Sequence, residues 1–158
     1  MSEIKFIADC MLGKLAKWMK ILGFDTDYYR AISDDELLER SLREDRILLT
    51  RDSDLVKRKR LKHSIFIESE VPIEQVRQVL KDGRLKLDGS SILSRCLICN
   101  VKTEPIDREK AKNLVPPYVF RTQKKFSHCP ECERIYWGAT HTDNILQKLK
   151  EKLNIEEK

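Results

Sequence analysis

The sequence predicts an α/β fold: a domain built on a mostly parallel sheet, followed by a small cysteine-built module. Three observations predict it. Short apolar runs alternate with segments of helical period over the first half of the chain. A polar stretch at residues 84–94, "RLKLDGSSILS", then breaks the pattern. Beyond the break lie two Cys-x-x-Cys pairs, "CLIC" at Cys96 and Cys99 and "CPEC" at Cys129 and Cys132.

The elements follow in order. "IKFIAD" reads as a first strand with Asp9 at its carboxyl end. In "MLGKLAKWMKILGF" the residues Leu12, Leu15, Met19 and Leu22 share one side of a helix, and Gly23 stops it. "DTDYYRAI" holds a short second strand and its exit. Ser33 followed by Glu36 forms a capping box, which opens a helix over "SDDELLERSLRED" with Leu37, Leu38 and Leu42 facing inward. "RILLT" and "SIFIES" are strands. "PIEQVRQVLKDG" is a helix opened by Pro72 and closed near Gly83. The order βαβαββα places an α/β domain at residues 1–83, a linker at 84–94 and a second module at 95–158. In that module "PPYVFRTQKKF" and "RIYWG" each contain a strand, and "TDNILQKLKEKL" is a helix capped by Thr142.

Composition bounds the function. The 158 residues fit one domain plus a small appended module. A hydrophobic share of 41% excludes a disordered chain. Charged residues make up 36%, and the net charge of +5 leans toward polyanionic partners. No apolar run reaches the roughly 18 residues of a membrane span, so no membrane partner is expected. The N-terminus carries charges inside its apolar stretch and no cleavage-type signal, which predicts a cytoplasmic location.

In a cytoplasmic chain, paired Cys-x-x-Cys units point to metal rather than disulfides. The 29 residues between Cys99 and Cys129 suit a zinc ribbon, in which two knuckles meet to complete a four-sulfur tetrahedron. Four thiolates leave no open coordination position, so the zinc is structural. A module this small lacks a core of its own, and zinc binding supplies folding energy on the order of 10 kcal/mol. Free thiols or a redox pair are the competing reading. His128 and His141 lie nearby but are not needed as ligands. Cys10 reads as a packed core residue.

The acids form a second constellation. Parallel sheets build sites at the carboxyl ends of their strands. Asp9 ends the first strand, Asp52 and Asp54 follow "RILLT", and Asp34 and Asp35 open the intervening helix. With those strands adjacent, the carboxylates share one rim. Their repulsion calls for a cation, and hard oxygen donors select Mg²⁺ or Mn²⁺. Such an ion polarises a phosphodiester and activates water. Each acid also has a plain structural reading: Asp34 and Asp35 favour a helix dipole, and Asp52 and Asp54 suit a polar turn. Basic residues flank the acids. Lys14, Lys17 and Lys20 recur at helical spacing, Arg51 adjoins Asp52, and "KRKRLK" adds Lys57, Arg58, Lys59 and Arg60. Contact of such groups with phosphates makes binding salt-dependent.

"FIADCMLGKLAKWMKILGFDT", "SDDELL", "RILLTRDSDL", "SRCLICN", "VPPYV" and "CPECERIYWGATH" together resemble the Mut-7 C-terminal RNase domain family. These are PIN-like domains fused to a C-terminal zinc ribbon. The likeness spans roughly residues 4–145, with the motifs in family order. It implies a PIN-like α/β fold and a metal-dependent ribonuclease. Carried over by position, the acids are Asp9, Asp34, Asp52 and Asp54, with Asp35 as an alternative to Asp34. PIN-like proteins tolerate other residues at the Asp54 position. The zinc ligands carried over are Cys96, Cys99, Cys129 and Cys132. The upstream nuclease domain of the full Mut-7 exonuclease has no room in 158 residues, so its exonuclease activity does not carry over.

Two functions compete at this point. One is an endoribonuclease with Mg²⁺ or Mn²⁺ at the acids and structural zinc. The other is a noncatalytic RNA-binding or ribosome-associated zinc ribbon, with Tyr136 and Trp137 as stacking surfaces. Packing of both aromatics inside the ribbon is the plainer expectation for those two.

Overall fold

The computed structural model describes residues 3–58, 63–87 and 91–137, together with 147, 150 and 151. It forms two compact units, Met1–Ile92 and Leu93–Lys158.

The first unit runs β1 (Lys5–Ala8), a 3-10 turn (Cys10–Leu12), α1 (Gly13–Ile21), β2 (Asp25–Tyr28), α2 (Asp34–Arg43), β3 (Ile47–Thr50), α3 (Ser53–Val56), β4 (Ser64–Phe66) and α4 (Pro72–Asp82). The four strands make one sheet in the order β2-β1-β3-β4, and every pairing is parallel. This is the parallel α/β sheet expected. From β1 the chain steps outward to β2, then crosses back past β1 to β3. That reversal is a topological switch point, and it lies between the carboxyl ends of β1 and β3. Register places Ala8 opposite Leu49, so Asp9 and Thr50 emerge side by side.

Side-chain alternation along the strands separates two apolar layers. Ile7 and Leu48 meet Leu37 of α2 and Leu55 of α3. Phe6, one residue earlier, meets Phe24 edge-on with ring centroids 6.1 Å apart. Leu12, Leu15, Met19 and Leu22 are all buried, as the helical period predicts. Gly23 must be glycine: its φ is +97°, and a Cβ there would sit 2.3 Å from the Ser91 carbonyl oxygen.

Several expectations need correction. Helix α3 was not foreseen between the third and fourth strands, because four residues are too few to display a period. Only half of the capping box forms. Ser33 Oγ accepts the Glu36 amide, but the Glu36 carboxylate turns forward to Arg40 at 2.9 Å. Leu42 is half-buried, outside the core made by Leu37 and Leu38. Lys20 is buried rather than aligned with the exposed Lys14 and Lys17.

The amino-terminal end of the sheet is tied by Arg46, which is buried. Its guanidinium reaches Asp25 at 2.7 Å, Glu44 at 3.0 Å, Asp27 at 3.3 Å and the Phe6 carbonyl at 3.0 Å. It thus bridges β3 to β2 across β1. Removing a buried cation leaves its acids uncompensated, at a cost of about 3 kcal/mol. Arg46→Met is therefore expected to lower the urea midpoint clearly. An unchanged midpoint would show that water already satisfies those acids.

The second unit contains β5 (Glu104–Ile106), α5 (Arg108–Ala111), α6 (Pro117–Thr122), β6 (Phe126–His128) and β7 (Ile135–Trp137). Its sheet is antiparallel in the order β5-β6-β7. Ala111, Val115, Val119 and Phe126 form its small core, with Phe120, Ile135 and Trp137 against it. The strand expected within "PPYVFRTQKKF" is corrected: the segment is helical through Thr122, and a strand begins only at Phe126. Proline at the first helical position starts α6, where its fixed φ and absent N–H cost nothing. "RIYWG" does hold β7. The helix expected over residues 142–153 lies outside the described residues apart from 147, 150 and 151. Among the described residues no helix is long and apolar enough to cross a membrane.

Candidate active site and metal centre

The acidic rim is built on the switch point. Asp9 follows β1 directly and is buried. Both its oxygens are engaged: Oδ1 accepts the Cys10 amide at 2.7 Å, and Oδ2 accepts the Thr50 hydroxyl at 2.7 Å. The Thr50 hydroxyl in turn accepts the Asp52 amide at 3.0 Å. A continuous path, Asp9–Thr50–Asp52, therefore links the ends of β1 and β3. The Asp52 side chain is the N-cap of α3. Its Oδ1 accepts the amides of Asp54 at 2.9 Å and Leu55 at 3.3 Å, leaving Oδ2 without a partner among the described residues.

Asp34 is the first residue of α2 and is exposed, as is Asp54 in the first turn of α3. Asp35 binds the Arg58 guanidinium at 2.7 Å, which holds the start of α2 beside the exit of α3. Cys10 samples the fields of two acids. Partial desolvation, then the Asp9 carboxylate and more weakly that of Asp34, raise its thiol above the usual range. It is exposed, not the packed core residue expected, because the strand ends at Ala8 and the 3-10 turn aims its side chain outward. Tyr28 secures that turn, donating its hydroxyl to the Cys10 carbonyl at 2.7 Å.

Structure thus adds Thr50 to the residues that sequence reasoning singled out. The available signal was a threonine closing an apolar strand two residues before an acid. Among the described residues the four acids Asp9, Asp34, Asp52 and Asp54 do not form a tight cluster like that of the cysteines described below. The basic residues divide. Lys14, Lys17 and Lys57 are exposed. Arg51 lies against the Ile67 and Glu68 carbonyls at 3.4 Å and pairs with Glu70 at 3.7 Å. Arg58 is committed to Asp35. Lys59 and Arg60 lie outside the described residues.

The cysteine site is closed and symmetric in construction. The Sγ atoms of Cys96, Cys99, Cys129 and Cys132 all lie within 4.8 Å of one another. A tetrahedral ion with Zn–S bonds of about 2.3 Å sets sulfurs about 3.8 Å apart. Cys96 and Cys132 are 3.7 Å apart, so the set fits zinc. Each pair forms the same knuckle. Cys96 Sγ accepts the amides of Ile98 and Cys99, and Cys129 Sγ those of Glu131 and Cys132, all at 3.4 Å. Asn100 and Glu133 turn each knuckle at φ of +64° and +63°.

A further donor braces this site. The Tyr136 hydroxyl lies 3.0 Å from Cys96 Sγ while accepting the Leu97 amide at 3.0 Å. Burial pushes the Cys96 thiol up, but Tyr136 and the knuckle amides reverse this and bring it down to about 6. Burial, with hydrogen bonding to Cys132 and Cys129, pushes Cys99 up to about 12. Tyr136 and Trp137 are half-buried and engaged within the ribbon, Tyr136 at Cys96 and Trp137 against the core, which agrees with the plainer expectation. His141 lies outside the described residues.

Comparison with curated proteins and with solved structures gave no match to either. A family model described as the Mut7-C RNAse domain matches residues 4–149, nearly the whole chain, with the rim and the cysteine cluster both inside the match. The chain belongs to the Mut7-C RNAse domain family.

Proposed function

We propose that the chain is an endoribonuclease that hydrolyses RNA phosphodiesters with Mg²⁺ or Mn²⁺ at the acidic rim and carries structural zinc in its ribbon. The observation that carries this reading is the Asp9–Thr50–Asp52 path at the switch point of a parallel sheet, in a member of an RNase domain family. We assign the chemistry to residues 1–83, the connection to 84–94 and the zinc-dependent fold to 95–158.

The donor set supports a hard divalent ion. It consists of carboxylate oxygens, and Asp52 keeps one of them free of hydrogen bonds among the described residues. Asp9 and Asp52 would be the primary ligands. Such an ion supplies charge neutralisation at the phosphate and an acidified water. The remaining work falls to the protein. Thr50 fixes the Asp9 side chain relative to the Asp52 backbone. Asp34 and Asp54, both exposed on the same rim, complete the site or orient water. Lys14, Lys17, Lys57, Lys59 and Arg60 hold phosphates of the RNA. Arg51 and Arg58 contribute less, because each already faces a carboxylate.

The looser spacing of the acids favours a second reading, a noncatalytic RNA-binding or ribosome-associated protein. One assay separates the two: labelled RNAs and single-stranded DNAs incubated with the zinc-loaded protein and Mn²⁺, Mg²⁺, no added divalent ion or EDTA, using wild type and Asp52→Asn. The expected result is RNA cleavage that requires the divalent ion and falls sharply in the variant. RNA bound tightly but never cut would establish the binding protein instead. Cleavage undiminished in EDTA would overturn the metal assignment.

A further inference from the structure

The loop between β5 and β6 is long for a ribbon, spanning residues 107–125, and it folds into α5 and α6. Its inward side chains, Ala111, Val115 and Val119, build the core of the unit. Its outward side carries two acids at its start, the exposed Asp107 and Glu109, and is basic from there on. From Lys110 to Pro130 the sequence has five basic residues and no acidic one. All five, Lys110, Lys112, Arg121, Lys124 and Lys125, are exposed. Among the described residues none of them pairs with a carboxylate. This differs from Arg51 and Arg58 near the acidic rim, whose charges are already answered.

An aromatic ring stands among these charges. Tyr118 is 63% exposed, the reverse of what a tyrosine in a small core would be. Val119 points inward from α6, so Tyr118 and Arg121, three residues apart, share its outer side. The helix itself is firmly seated. Arg108 lies over the Phe120 ring at 3.7 Å and donates to the Phe120 carbonyl. Phe120 stacks on Phe126 with centroids 6.5 Å apart. A seated helix presenting an unpartnered ring beside unpaired cations has the two components of single-strand recognition: a stacking platform and a backbone-tracking charge.

We propose that the α5–α6 face of the ribbon is a second, noncatalytic RNA-contact surface, on which Tyr118 stacks an unpaired base while the basic side chains follow the phosphates. This rests on the reading of RNA as the substrate, and extends it to a surface separate from the acids. Unpaired charge argues for a polyanion over a protein partner. The exposed ring argues for a single strand over a duplex, whose bases are already stacked.

The test uses the full zinc-loaded chain with a fluorescent single-stranded RNA in buffer free of Mg²⁺, Mn²⁺ and chelator, where binding is read without cleavage and the zinc stays in place. Zinc retention and melting temperature serve as fold controls. Tyr118→Ala is expected to weaken binding about 10-fold, the loss typical of one stacked base. The double variant Lys124→Gln with Lys125→Gln is expected to reduce the slope of log affinity against log salt by about 1.4, or 0.7 per lost phosphate contact. Wild-type affinity and slope in both variants would overturn the surface, whether or not the protein cleaves RNA. An accompanying cleavage assay separates this from the acidic rim. Weakened binding in a protein that never cleaves would sink the ribonuclease reading and leave the surface standing. Cleavage with an unchanged KM in both variants would do the opposite. If instead the variants bind RNA normally but lose a protein cross-linked in the wild type, the face docks protein and the proposal fails.

Discussion

Asp9→Asn is expected to abolish RNA cleavage while leaving the fold almost intact. The substitution removes charge but little shape. Asn keeps an oxygen to accept the Cys10 amide, now held at 2.7 Å. Its amide nitrogen faces the Thr50 oxygen, where a hydroxyl proton is now donated. The Thr50 proton must then turn elsewhere, a loss of about 1 kcal/mol of hydrogen bonding. The effect on chemistry is far larger. A divalent ion at a phosphate contributes several kcal/mol of charge stabilisation, and Asn cannot anchor that charge. A loss of about 4 kcal/mol in the transition state is a rate reduction of about 10³-fold. Single-turnover cleavage and a thermal melt of the same preparation check both halves. Full activity in Asp9→Asn would remove the acidic rim from the mechanism, since Asp9 is its buried member.

Loss of zinc is expected to unfold the second unit and spare the first. Among the described residues, and apart from the buried Cys96 and Cys129, four side chains form the apolar core of the ribbon, Ala111, Val115, Val119 and Phe126, which is too little to offset chain entropy alone. Thiolate coordination supplies on the order of 10 kcal/mol instead. Cys129→Ser removes a fully buried ligand that also accepts two knuckle amides, and no other described side chain stands ready to replace it. Trp137 reports the outcome because it packs against that core. A strong chelator, or Cys129→Ser, is expected to abolish stoichiometric zinc, shift Trp137 emission to the red and open residues 93–137 to protease. The core around Phe6, Leu37 and Leu48 owes nothing to the metal and is expected to persist. Unchanged Trp137 emission in a zinc-free protein would mean that the cysteines are not a folding site.

Both experiments rest on features of unequal legibility. The parallel sheet was readable because fully buried strands appear as short unbroken apolar runs, and β1 and β3 are such runs. The cysteine centre was readable because ligand spacing within a knuckle is local. Helix α1 was readable from one apolar stripe. Where signals were short, they misled. Four residues could not announce α3, and the β-prone "YVF" concealed α6, whose Pro116 and Pro117 were the better guide.

The sequence by itself determined the α/β class, the zinc-binding set and the list of acids, because each is written in local spacing and periodicity. Tertiary structure alone decided which acids become neighbours. Asp9 and Asp52 are 43 residues apart in the chain. They communicate because strand order places β1 against β3 and a threonine hydroxyl spans the gap. Structure also decided which cations remain free. Arg58 lies in the most basic stretch of sequence and Arg51 beside the acids, yet both face carboxylates brought there by other elements. Among the described residues, unpaired charge remains on the exposed Lys14, Lys17 and Lys57, and also on the ribbon, where no acid interrupts residues 110–130 and no ion pair reaches the cations. Charge in a sequence is a sum, whereas charge at a surface is what remains after folding has paired it.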